Sequence, residues 1–209
     1  MKKLIIGGVV VILLGVGGYG LYNMYLRGEL QTPIKDTIEV LPEVPVLNTY
    51  ASSTLGITFN YPKGYGLIES YSYEGVSAKK PISGVKITIP ETLATGTNLS
   101  SYDTGVSIEW LPRAKLCTGD IYLLANVKAQ KITENGIDYS VATTTGAAAG
   151  NRYEEQVYAL ATSSPCTAIR YFIHSTVVEN YPEGTVREYD RTKLLSDFDK
   201  VRQSLILQN

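Results

Sequence analysis

Arg152, Glu154, Arg170 and His174 fall on two strand-like runs, residues 151–161 and 166–177, either side of a turn at residues 162–165. Alternation sets Arg152, Glu154 and Gln156 on one face of the first run and Tyr153, Val157 and Ala159 on the other. On the second run Ile169, Tyr171, Ile173 and Val177 form the apolar face, while Arg170, Phe172 and His174 point the opposite way. Pairing apolar with apolar brings Glu154 opposite or diagonal to His174. A carboxylate beside an imidazole fixes its tautomer and can make it a general base. His174 and Glu154 are therefore the catalytic candidates, and Arg152 and Arg170 the binding candidates. The simpler reading of the same four residues is a row of cross-strand ion pairs on a solvated or helix-covered face. A working site also needs a nucleophile or an oxyanion donor. No G-x-S-x-G, H-E-x-x-H or phosphate-cradling glycine loop supplies one. Glu155 points to the apolar side, where burial would leave it protonated or paired, and Arg170 or Arg152 reaches it in a changed register.

Other chemistries have less support. One histidine and two cysteines without a C-x-x-C spacing make no recognisable metal-ligand set, and no cofactor motif is present. The 19 basic residues balance the 20 acidic ones, leaving a net charge of −1. Nucleic acid needs a basic face to displace its counterions, so it is not an expected partner. The even cysteine count leaves Cys117 and Cys166 as a disulfide or as two buried thiols. An extracytoplasmic setting favours the disulfide. Closing a loop of about 50 residues would stabilise the fold by roughly 4 kcal/mol at most. The 16 tyrosines outnumber the three phenylalanines. They suit sheet faces that meet water, or a tyrosine-lined binding surface. Trp110 alternates with Ile108 and Val106, which places it in a core face.

The elements that must position these residues are mostly strands. LGITFNY (55–61), residues 66–73, GVKITI (84–89) and GVSIEWL (105–111) are short, β-rich and bounded by glycine and proline. Residues 127–133 and 137–144 flank Asn135-Gly136, which predicts a hairpin because both turn positions need positive φ. Residues 146–150, GAAAG, read as either a helical turn or a close-packed loop. Leu194, Leu195, Phe198, Val201 and Leu205 follow the 3.6-residue period, with Asp190 as a candidate N-cap. Strands first and an amphipathic helix last predict an α+β fold, a mostly antiparallel β-sheet covered by the C-terminal helix.

Ahead of that domain, Leu4 to Tyr22 carries no charge and is long enough for a transmembrane helix. Lys2 and Lys3 precede it and Tyr19, Tyr22 and Tyr25 cluster at its end, which predicts a single-pass anchor with its N-terminus inside. Arg27 weakens that orientation. A cleaved signal peptide is the alternative, with Gly18-Tyr19-Gly20 as a poor cleavage site. Residues 1–27 are thus read as the anchor and 28–48 as a proline-containing acidic spacer. Residues 49–209 are read as one extracytoplasmic domain.

Two stretches resemble known families. LGITFNYPKGY with LLSDFDKVRQSL resembles extracytoplasmic PsbP/Mog1-like domains, which implies an antiparallel sheet sandwiched between helices. IPETLATGTNLSSYDTGVSIE, AAAGNRYEEQVYAL and PCTAIRYFIHSTVVENYPEGTVREYDR resemble a family of bacterial membrane-anchored or secreted proteins with no assigned activity. That resemblance implies a bacterial envelope location and one domain, and it supplies no functional residues. The expected function is a membrane-tethered extracytoplasmic binding or structural module that contacts an envelope protein or cell-wall component. The alternative is an envelope hydrolase or accessory enzyme using His174 and Glu154.

Overall fold

The computed structural model describes residues 46–122 and 127–208. The segment from Leu4 to Tyr22 lies outside the described residues, and so does the spacer as far as residue 45. Among the described residues no helix is long and apolar enough to cross a membrane. The elements run β1 (Leu47–Ser52), β2 (Ile57–Pro62), β3 (Gly66–Tyr73), β4 (Ile82–Thr88), α1 (Glu91–Ala94), β5 (Gly105–Leu111), β6 (Gln130–Glu134), β7 (Ile137–Ala148), β8 (Asn151–Leu160), β9 (Cys166–Thr176), a 3-10 turn (Val178–Asn180), α2 (Arg191–Gln203) and β10 (Ile206–Leu207). The strand β1 begins inside the end of the segment read as spacer.

Seven strands form one antiparallel sheet in the order β3-β4-β5-β9-β8-β7-β6, and β1-β2-β10 form a second. Hairpins built from neighbouring runs explain the β6-to-β9 half. Asn135 and Gly136 adopt φ of 52° and 78°, as the turn between β6 and β7 demands. The stretch 146–150 corrects the sequence expectation of a helical turn or loop. Residues 146–148 continue β7, and Ala149 and Gly150, at φ 49° and 79°, make a tight two-residue turn into β8.

One face of the large sheet is apolar. Val85, Ile108, Ile169 and Tyr171 pack there with Leu194, Phe198 and Val201 of α2 and with Ile57 and Phe59 of β2. The three α2 residues sit at i, i+4 and i+7, the stripe a helix buries. Asp190 caps that helix, its Oδ1 accepting the Lys193 N–H at 2.9 Å. Trp110 packs against this core.

The opposite face has no described helix over its centre. The loop after β5 covers it instead: Ala114, Cys117, Ile121 and Tyr122 lie against Val157, Ala159, Cys166 and Ala168. A Cys117–Cys166 disulfide fastens that loop to the start of β9. Gly119 lies so close to the strands that a Cβ would come within 2.6 Å of the Ser140 carbonyl oxygen and 2.8 Å of the Val157 carbonyl oxygen.

Candidate functional site

The strand register decides which candidate residues meet. Tyr153 lies opposite His174, and Glu154 lies opposite Ile173. Glu154 and His174 therefore point to opposite faces, which corrects the expected pair. Arg152 and Glu154 share the face covered by α2, while Arg170 and His174 share the loop-covered face. The apolar-to-apolar match misled because β9 is buried on both sides. Ala168 and Arg170 are as inaccessible as Ile169 and Tyr171. A one-residue offset then exchanges every side chain between faces.

His174 finds other partners. Its Nδ1 lies 2.8 and 2.9 Å from the two carboxylate oxygens of Asp103, and its Nε2 lies 2.9 Å from Asn151 Oδ1. Asn151 Nδ2 donates to the carbonyls of Ala148 and Ala149, which leaves Oδ1 to face the ring. Tyr153 stacks on the imidazole with centroids 4.7 Å apart. Asp103 and Asn151 engage both ring nitrogens, so neither is open to a substrate proton. The geometry ties the β7–β8 turn to Asp103 and does not set up a general base.

Arg170 is buried at 4% exposure. Its Nε and Nη2 donate to Glu109 Oε1 at 3.0 and 2.7 Å, its Nη1 to Glu155 at 3.2 Å, and its Nη2 also to the Tyr71 hydroxyl at 2.8 Å. The guanidinium carbon lies 3.8 Å from the Tyr73 ring centroid. Ser107 donates to the same Glu109 oxygen at 2.7 Å. Burial alone would lower the Arg170 pKa, but Glu109 outweighs it and holds the charge firmly in place. Burial pushes the Glu155 carboxyl up, with Arg170 opposing. Four of the five Arg170 N–H groups are used inside this cluster and the residue is buried, so the binding candidate serves as an internal charge partner.

Arg152 and Glu154 instead border an open cleft of 610 Å³ on the face shared with α2. Its lining includes Asn98, Tyr153, Glu188, Tyr189 and Arg191. Asn98, buried at 5%, frames the cleft: Nδ2 donates to the Thr176 carbonyl at 2.8 Å, and Oδ1 accepts the Tyr189 N–H at 3.0 Å. These bonds hold the chain before α2 against the end of β9. Arg191 chelates Glu154, with Nε 3.0 Å from Oε2 and Nη2 on Oε1. Arg152 has no carboxylate within ion-pair distance among the described residues. A second cleft of 270 Å³ lies on the opposite face of the same arm, lined by Tyr122, Thr144, Gly146, Tyr153 and Phe172. Sequence reasoning picked out Arg152 and Glu154 but not Asn98, Tyr189 or Arg191. The bonds that gather these span 78 to 91 residues for Asn98 and 37 for Arg191.

No protein-family model matches this chain, and no curated protein matches it. Among solved structures it is similar to the solution structure of cyanobacterial PsbP (CyanoP) from Synechocystis sp. PCC 6803. The two are 16% identical with a TM-score of 0.40, over 84% of this chain and 99% of that one. A likeness at that level carries no argument about fold or function.

Proposed function

We propose that this chain is a binding module, tethered to the outer face of a bacterial cytoplasmic membrane by its apolar N-terminal segment, that holds an envelope protein or cell-wall component. One observation carries the reading. The 610 Å³ cleft is open, its rim holds an arginine without an ion-pair partner among the described residues, and the sole histidine is engaged at both ring nitrogens. A concave surface with a few convergent polar groups is the usual form of a binding site. The uncharged run from Leu4 to Tyr22 and the Cys117–Cys166 disulfide support a site outside the cytoplasm.

The test is chemical cross-linking of the full chain in native envelopes, followed by capture of the chain. Arg152→Glu, with its melting temperature unchanged, is expected to deplete the cross-linked partner by about tenfold. Equal capture by the parent and by Arg152→Glu would remove the cleft from the reading.

A further inference from the structure

The strand β7 is longer than the neighbour that covers it. It runs from Ile137 to Ala148, yet β6 pairs with it only from Ile137 to Val141. Among the described residues nothing pairs with the outer side of residues 143–148, and five of these six are exposed or nearly so. The other exposed edges of the large sheet carry the usual protection. The strand β3 is irregular between Ile68 and Tyr71 and bears Glu69 there. The strand β6 has five residues, among them Lys131 and Glu134. Residues 142–148, Ala-Thr-Thr-Thr-Gly-Ala-Ala, contain neither charge nor proline.

We propose that this open edge accepts an extended segment of a partner protein as an additional strand, with acidic and aromatic side chains alternating along it. The inference deepens the binding reading above and rests on it.

The geometry gives each part of that statement. A two-residue turn makes Ala148 and Asn151 a hydrogen-bonded pair, so Gly146 with Tyr153 and Thr144 with Glu155 bond likewise. The N–H and C=O groups of Thr143, Thr145 and Ala147 then point outward, ready for a ladder. Both faces beside the edge are hollow. Thr145, Gly146 and Ala147 border the 610 Å³ cleft, and Thr144, Thr145 and Gly146 border the 270 Å³ one. Alternate side chains of an added strand enter these two clefts in turn.

Charge and size choose the side chains. On the α2 face Ala147 lies opposite Arg152, and alanine is too small to screen it. A carboxylate on the added strand can reach across Ala147 to that unpaired guanidinium. On the other face Gly146 lies opposite Tyr153, so an aromatic ring on the added strand covers the glycine and meets the tyrosine ring. A second copy of β7 would bring only alanine, glycine and threonine here, and both clefts would stay empty.

The experiment uses the full chain and a synthetic peptide, blocked at both ends, that alternates glutamate with tyrosine. Fluorescence anisotropy reads its affinity. Thr145→Pro removes an outward donor without breaking a β7–β8 bond, and Arg152→Glu reverses the charge beneath the added strand. Each is expected to weaken binding about tenfold or more, with the melting temperature retained. If the proline variant fails to fold, Thr145→Lys blocks the edge by charge and gives the same reading. Amide exchange at Thr143, Thr145 and Ala147 is expected to slow when peptide is added.

No peptide binding, or binding indifferent to the Thr145 variants, overturns the proposal. A dimer in sedimentation that Thr145→Pro dissociates would assign the edge to a second copy. Amide protection of Thr143, Thr145 and Ala147 already present in the free monomer would assign the edge to another segment of the chain itself. Either result overturns it. Envelope capture lost in Arg152→Glu but kept in Thr145→Pro would sink strand addition and leave the cleft reading standing.

Discussion

Two arginines are buried on opposite faces of the large sheet, each wrapped in tyrosines, and they differ in what their carboxylate partners could do without them. On the helix-covered face Arg202 lies with its guanidinium carbon 4.2 Å from the Tyr158 ring centroid and 5.2 Å from that of Tyr139. Its Nε donates to the Tyr171 hydroxyl at 2.9 Å. Its acidic partners Glu134 and Asp199 are 33% and 37% exposed. On the loop-covered face Arg170 pairs with Glu109 at 0% and Glu155 at 16%. Water can solvate Glu134 and Asp199 if Arg202 is lost. It cannot reach Glu109. The comparison also accounts for much of the tyrosine excess: phenol rings pack against a buried guanidinium and offer it a hydroxyl, which phenylalanine cannot do.

The comparison makes a ranked forecast for thermal or denaturant unfolding. Arg170→Ala strands a fully buried carboxylate and is expected to cost about 3–5 kcal/mol. Arg202→Ala is expected to cost about 2 kcal/mol, chiefly the lost hydrogen bonds to charged groups. Equal losses would erase the distinction between the faces. Replacing Cys117 and Cys166 together by serine frees the loop that covers Arg170 and should cost roughly 2–4 kcal/mol. Because the loop lies only on that face, amide exchange should accelerate around β5 and β9 before α2 responds.

A smaller effect sharpens the helix side. Burial pushes the Asp197 carboxyl up, but hydrogen bonds from Lys200 and Tyr65, with Lys193 beside them, outweigh it and hold the carboxyl below its usual value. A lowered folded pKa contributes stability above the unfolded value and loses it as pH falls through the folded one. Asp197→Asn is therefore expected to cost about 1–2 kcal/mol at neutral pH, and the gap to the parent should close below about pH 4. A gap that stays constant to acid would show that shape, not charge, is at work.

Local signals were legible in the sequence and remote ones were not. The helix from Arg191 to Gln203, its Asp190 cap and the Asn135-Gly136 turn each rest on residues a few positions apart, and all three are present. The α+β arrangement of a mostly antiparallel sheet under a C-terminal helix follows from those signals. The β8–β9 register was misread because it was inferred from the expectation of one buried face. Here both faces are buried, and the rule that matches apolar with apolar loses its force. The partners of the key polar groups were out of reach for another reason. Asp103 lies 71 residues from His174, Glu109 lies 61 from Arg170 and Tyr71 lies 99 from it. Glu155 is the instructive exception. Its awkward position on an apolar run pointed to Arg170 as a candidate partner, and the two pair at 3.2 Å.

The most direct test of the central claim is site-specific photocross-linking of the full chain in native envelopes. The reactive residue is placed at Tyr189, in the large cleft, or at Leu116, which is 73% exposed on the loop-covered side. The account predicts a heavier adduct from position 189 and none from position 116. An adduct from position 116 alone, or from neither, would contradict it.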